Sequence, residues 1–213
     1  MKFYDCKTAP SPRRVRIYLA EKGIQLETVQ VDLGSGEQFS PQFRRINPDC
    51  VVPVLELDDG RCISEAIAIC HYLEELHPEP PMFGRTPEER AAVLMWNAKV
   101  EQQGLWAMAD AFRNSAKGLA DKALPGPDPY PQIPELAERG RARMQAFFKR
   151  IDAQLADNPF IAGDFFSVAD ITALAVMDFA AWLKITPPKN VDNNANNIAR
   201  WYESVAGRAS AAV

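Results

Sequence analysis

Apolar and polar positions follow a short period through the first eighty residues of the chain and a longer one after that. Residues 2–6 (Lys-Phe-Tyr-Asp-Cys) and 25–31, with β-branched Thr28, Val29 and Val31, have the make-up of strands. Between them, residues 12–22 are expected to form a helix, with Ser11 as N-cap, Pro12 at the first helical position and Gly23 just past the end. A Gly34-Ser35-Gly36 loop leads to a short helix over 41–45. Residues 54–57 and 61–63 then flank Asp58-Asp59-Gly60, a hairpin signal. A helix over 65–76 closes the unit. The order βαβ followed by αββα predicts a four-stranded mixed sheet with helices packed on it.

Pro78, Pro80, Pro81 and Pro87 then remove backbone donors and fix φ, so neither helix nor sheet runs through this stretch. Beyond it the period is helical, with Val93, Trp96, Val100, Leu105, Met108 and Phe112 spaced along a helix expected over 88–117. Residues 125–134 hold five prolines and read as a long irregular loop, and a second long helix is expected over 135–156. Ser167-Val168-Ala169-Asp170 is a variant of the capping box, with Phe166 and Ile171 placed as a hydrophobic staple. The helix that follows, to about residue 183, is apolar nearly all round and belongs in a core. The pattern divides the chain into an α+β part over 1–77, a linker over 78–87 and an all-helical part over 88–213.

Composition adds exclusions more than assignments. The chain has 213 residues, 47% hydrophobic and 24% charged, as an ordinary globular protein with a real core has. A net charge of −4 argues against nucleic acid as a partner. The one basic cluster, Arg13-Arg14-Val15-Arg16, reads as a solvated helix face. The start of the chain lacks the apolar run of a signal peptide, and the longest apolar segment, 171–185, is too short to span a bilayer and is interrupted by Asp178 and Lys184. A cytoplasmic protein with no membrane partner is the expectation. Cys6, Cys50, Cys62 and Cys70 form no C-x-x-C and have no zinc spacing, so they read as reduced, mostly buried thiols. His71 and His77 have no ligand cluster around them, and no metal is expected.

The candidate chemistry lies in Asn47-Pro48-Asp49-Cys50-Val51-Val52-Pro53-Val54-Leu55, followed by Ser64-Glu65-Ala66-Ile67. A proline entering a strand belongs at its first position or on an edge, because it cannot donate to the ladder. With a cis Val52-Pro53 bond the turn offers the main-chain N–H and C=O of Val52 to a ligand. A helix start carrying Ser64 and Glu65 beside it makes a polar site the size of a short peptide.

Together these segments resemble the cytosolic glutathione transferase family, as a bacterial, serine-type or theta/nu-like member. The resemblance spans the whole chain. It is carried by residues 11–23 (Ser-Pro-Arg-Arg-Val-Arg-Ile-Tyr-Leu-Ala-Glu-Lys-Gly), the 47–55 turn and residues 63–74, and then by Phe-Ser-Val-Ala-Asp-Ile (166–171) and Ala-Arg-Trp-Tyr (199–202). It implies a thioredoxin-like N-terminal domain that binds glutathione, an all-α C-terminal domain that helps form the second-substrate site, and a homodimer. The implied activity is conjugation of the glutathione thiolate to small, mainly hydrophobic electrophiles, a detoxification chemistry. The alternatives are a non-catalytic binding protein on the same fold and a glutathione-dependent thiol–disulfide oxidoreductase using Cys50 or Cys6.

In such a site the thiolate is the nucleophile. Lowering a thiol of pKa ~8.5 by about two units takes roughly 2.7 kcal/mol of preferential thiolate stabilisation. A hydroxyl donor and a helix N-terminus can both contribute. Ser11 stands where both are available, as N-cap, as thiol donor or as both, and Thr8 is the second candidate. Many serine-type members place the hydroxyl two positions earlier, where this chain has Ala9. Tyr4 reads as a strand residue. The resemblance further implies that Val52, at the Pro53 turn, holds the cysteinyl main chain. Glu65 meets the γ-glutamyl ammonium, while Ser64 and the helix start receive its carboxylate. Val51 stands where the family often has the Lys that reaches the glycyl carboxylate, and Ala66 where it often has Ser; Gln38 supplies part of the glycyl contact. Trp106, Asp110 and Arg113, on one face of the 101–114 helix, are the candidates for the second-substrate pocket.

Overall fold

The structure, a computed structural model, describes residues 1–188 and 197–213. Strand β1 (Lys2–Asp5) lies at the centre of the sheet, parallel to β2 (Glu27–Gln30) and antiparallel to β3 (Val54–Glu56), which pairs in turn with the edge strand β4 (Cys62–Ser64). The order is β2-β1-β3-β4. Successive side chains point to opposite faces, so one register builds two cores. Phe3 and Leu55 are paired and join the main core, whereas the Tyr4–Val54 pair joins a small cluster with Val31 and Phe43. Phe43 comes from α2 (Pro41–Ile46), whose N-cap Ser40 accepts from the Phe43 N–H at 3.2 Å. The four-stranded mixed sheet and its helices match the expectation.

Helix α1 spans Pro10–Lys22 and ends as expected at Gly23, whose φ of 65° closes the C-terminus. Its start differs. The N-cap is Ala9 and Pro10 takes the first helical position, so Ser11 sits inside the first turn and is not the cap. Two prolines, Pro10 and Pro12, each suit a first turn; the chain enters the helix at the earlier one. The basic cluster differs too. Arg14 is buried and pairs with Glu101 at 2.5 Å, Arg13 with Asp178 at 2.5 Å and Arg16 with Asp5 at 2.5 Å. It is not a solvated face, because α1 is enclosed between the sheet and the helical part.

Helix α3 (Ala66–Leu76) leads into the proline-rich stretch, which is pinned by one buried carboxylate. Glu74 accepts from the main-chain N–H of Met82 (2.8 Å) and Phe83 (3.2 Å), from the Tyr18 hydroxyl (2.5 Å) and from Lys22 Nζ (2.6 Å). The helices that follow are α4 (Pro87–Val100), α5 (Trp106–Arg113), α6 (Pro134–Ala156), α7 (Val168–Trp182) and α8 (Asn197–Ala206). Where one helix over 88–117 was expected, α4 and α5 are joined by a π-type turn over Glu101–Leu105, and α5 ends at Arg113. Arg143 Nη2 of α6 donates to Gln102 O at 2.5 Å, holding that irregular turn. Small residues let the helices close in. A Cβ on Gly140 would meet Ala107 O at 2.5 Å, and one on Gly104 would meet the Phe147 ring at 2.9 Å.

Helix α7 is buried along most of its length, as its composition requires. The Asp170 carboxylate reaches back to the Ser167 N–H (3.0 Å) and hydroxyl (3.0 Å), and also accepts from the Ile161 N–H (2.8 Å) and Trp201 Nε1 (2.8 Å). Among the described residues no helix is long and apolar enough to cross a membrane. Asp170→Ala strands four buried donors, and denaturant unfolding is expected to show a loss of at least about 3 kcal/mol; a loss under about 1 kcal/mol would show that the network is dispensable.

Candidate active site

The carboxyl end of β1 opens between α1 and the β3 turn, and its loop is held rigidly. Arg16 donates to Asp5 Oδ1 (2.5 Å), Cys6 O (3.3 Å) and Lys7 O (3.0 Å), while the Ala9 N–H donates to Cys6 O at 3.0 Å. Gln30 Nε2 adds a second donor to Asp5 at 2.6 Å. In the first turn of α1, Pro10 and Pro12 have no N–H, so of residues 10–12 only Ser11 has a main-chain hydrogen to offer. Tyr4 is engaged elsewhere: its hydroxyl donates to Glu56 at 2.6 Å, and burial together with that carboxylate pushes its ionisation well above the usual phenol range.

Across from this loop, buried Asn47 folds the 47–52 turn, donating from Nδ2 to Val51 O (2.9 Å) and accepting from the Asp49 N–H (3.1 Å). Cys50 takes a φ of 55°, and the Val52-Pro53 bond is cis. The N–H and C=O of Val52 meet no hydrogen-bond partner among the described residues. Antiparallel pairing of Val54 with Ser64 brings this turn beside the start of α3, where Glu65 is the N-cap with φ 70° and ψ 121°. Such a backbone costs a non-glycine residue about 1–3 kcal/mol and clusters at ligand clamps. The Glu65 side chain is exposed and makes no capping bond. Ser64 ends β4 and is not the cap; α3 begins two residues on, at Ala66, with the free N–H groups of its first turn. Gln38, 9% exposed in the turn of 3-10 helix over Glu37–Phe39, has a buried Oε1 with no partner.

A cavity of about 170 Å³ lies between the β1–α1 loop and α7, lined by Thr8, Ala9, Pro10, Arg13, Phe179 and Trp182 among others. Thr8 is exposed, with Oγ1 3.5 Å from Cys6 Sγ. Ser11 does not line the cavity; its Oγ accepts from Arg14 Nη2 at 3.4 Å. Phe112, Phe179 and Trp182 form an aromatic group with ring centroids 5.2–5.7 Å apart, Phe112 edge-on to the other two and Phe179 tilted against Trp182, which is 65% exposed. Trp106, Asp110 and Arg113 are not among the residues that line this cavity. Trp106 is half exposed, Asp110 pairs with Arg143 at 3.1 Å, and Arg113 donates to Leu124 O at 2.9 Å, its ionisation lowered by burial. The aromatic wall escaped sequence reading because the apolar pattern of α7 marks core and cavity wall alike. Among the described residues no three His, Cys, Asp or Glu side chains cluster as a metal ion would need.

A thioredoxin-like sheet with a helical domain packed on its first helix, beside a cis Val-Pro turn, defines the class of protein. Residues 8–76 match the glutathione S-transferase N-terminal domain and residues 117–209 the glutathione S-transferase C-terminal domain. Glutathione S-transferase 2 of Saccharomyces cerevisiae is 35% identical over 212 residues, covering 99% of this chain and 87% of that protein. A glutathione S-transferase domain-containing protein from Marinobacter aquaeolei superposes with a TM-score of 0.88 at 38% identity, covering 99% of both chains. A class Gtt2 glutathione S-transferase of Vibrio parahaemolyticus gives 0.81 at 37%, covering 99% of this chain and 95% of that one. The chain belongs to the glutathione S-transferase family and is a transferase that uses glutathione.

Glu65→Gly relieves the positive φ and is expected to raise unfolding stability by about 1 kcal/mol. Thermal and urea unfolding of the variant check this; a destabilised variant would mean that the Glu65 side chain holds the turn in place.

Proposed function

We propose that the chain conjugates the glutathione thiolate to small, apolar, flat electrophiles in the cavity between the β1–α1 loop and α7. The observation that carries this reading is the unpartnered main chain of Val52 beside Glu65, which bears a strained backbone at the start of α3. An extended tripeptide running antiparallel to Val52 pairs its cysteinyl N–H and C=O there, as an added strand does. Its γ-glutamyl end then points toward Pro53 and α3. There Glu65 meets the ammonium, and Ser64 with the α3 N-terminus meets the carboxylate.

Two hydroxyls stand within the reach of the thiol, on Ser11 and Thr8. Thr8 lines the cavity and Ser11 is turned to Arg14, which favours Thr8 as the donor to the thiolate. The rings of Phe179 and Trp182, with Phe112 behind them, favour an aromatic acceptor, since flat rings stack or pack edge-on against them. The serine-type assignment rests on Ser11 alone, whereas 37% identity to the class Gtt2 enzyme supports a place beside that class. Cys50 is buried with its Sγ 3.4 Å from Pro48 O, which does not favour thiol–disulfide exchange there. Exposed Leu94 and Met95 on α4 support a homodimer, and the free cysteines suit a reducing cytoplasm.

Calorimetry is expected to show glutathione binding at millimolar affinity or better, and absence of binding would sink the reading. With an aromatic electrophile, Thr8→Ala is expected to lower kcat about tenfold or more, equivalent to about 1.4 kcal/mol of lost thiolate stabilisation, and Ser11→Ala to lower it less. The reverse order would return the role to Ser11.

A further inference from the structure

The proline-rich segment between α5 and α6 is not a loose loop. Ala123 N–H donates to Tyr130 O (3.0 Å) and Tyr130 N–H to Asp121 O (3.0 Å), closing it on itself. Gln132 Nε2 ties its far end to Arg113 O (2.7 Å) and Ala116 O (2.8 Å), and Arg113 Nη2 holds its middle at Leu124 O (2.9 Å). So braced, residues 114–133 cross from the helical domain onto the N-terminal one. A Cβ on Gly126 would stand 3.7 Å from Asp49 O, and Lys122 Nζ lies 5.3 Å from the centroid of the Phe39 ring.

These two points of contact mark one end of the glutathione site. A tripeptide paired antiparallel at Val52 sends its C-terminus toward Val51 and Cys50, about 3.4 Å further along the chain. This is the side of the clamp on which Asp49 and the Glu37–Phe39 turn lie. The N-terminal domain has no lysine at Val51 to meet a carboxylate there. What it has is Gln38, nine-tenths buried, whose Nε2 is the atom that can donate to a carboxylate, while its Oε1, an acceptor, has no partner. Lys122 likewise has no carboxylate partner among the described residues, and its ammonium stands over the residue next to Gln38.

We propose that this strap completes the glutathione site from the helical domain, with Lys122 and Gln38 together receiving the glycyl carboxylate. The proposal rests on the reading of Val52 as the cysteinyl clamp. It restores, from a different domain, the positive charge that Val51 does not provide. Arg44 is the competing cation, since its Nε donates to Phe39 O at 3.1 Å from α2.

The test is calorimetry on the full chain with two probes, glutathione and its glycyl monoethyl ester, in which that carboxylate is neutral. Lys122→Ala is expected to weaken glutathione about tenfold, as loss of a charge-assisted hydrogen bond does, and to change the ester by less than about twofold. Lys122→Arg is expected to restore most of the loss, and Arg44→Ala to leave both probes near wild type. Wild-type glutathione affinity in Lys122→Ala overturns the proposal and leaves the Val52 clamp standing. An equal loss for both probes also overturns it, since the strap then acts by packing alone, as does a carboxylate-selective loss in Arg44→Ala instead. A wild-type chain that binds neither probe overturns the glutathione site as a whole.

Discussion

Helix α1 sits in one core that the sheet part and the helical part build together, and the rest of the structure depends on that junction. Val15, Ile17, Tyr18 and Leu19 are all buried; α3 covers part of α1 and α7 another, and Phe3 and Leu55 of the sheet belong to the same cluster. Enclosure on several sides brings arginines into regions of low dielectric, where an unpaired charge is costly. Each is matched: Arg14 by Glu101 of the π-type turn, Arg13 by Asp178 of α7, Arg16 by Asp5 of β1. The pairs orient the helical domain against the sheet, and the cavity beside Ala9 and Pro10 lies along that contact.

Buried carboxylates then organise the segments that lack regular structure. Asp170 holds the Ile161 and Ser167 main chain, Glu74 holds Met82 and Phe83 at the crossing between domains, and Asp5 orients Arg16 over the Cys6–Lys7 carbonyls. In each case one side chain satisfies or positions backbone groups that neither helix nor sheet reaches. Such networks favour one arrangement, because a buried polar group without a partner is costly; the Asp5 network leaves Arg16 Nε alone without one. The same economy marks the clamp proposed at Val52, which uses main chain and leaves side-chain identity there open.

Periodicity and punctuation carried most of the architecture. Strands around Tyr4 and Leu55, the hairpin at Asp59-Gly60, the Gly23 stop, the capping box at Ser167–Asp170 and the buried character of α7 are all local signals: a period of 2 or 3.6, a donor removed by proline, a carboxylate three residues from its cap. The turn at Pro53 and the corner at Ser64-Glu65 were legible for the same reason, since a backbone site is written in residues that restrict backbone. The start of α1 was misread by two residues because Pro10 and Pro12 carry the same signal.

What remained hidden was everything set by a second surface. Arg13, Arg14 and Arg16 read as solvated because their partners lie 11 to 165 residues away. Phe179 and Trp182 read as core, and Trp106, Asp110 and Arg113 as pocket, because helical spacing says which residues share a face and not what that face meets. The strap over Phe39 and Asp49 was a proline-rich loop until its contacts were seen. The sequence by itself determined the elements, their order and the turn at Pro53, since these follow from torsional and hydrogen-bonding preferences within a few residues. Only the tertiary structure decided which hydroxyl and which rings face the cavity, and that Lys122 crosses between domains, because burial and proximity are properties of packed surfaces and not of any one segment.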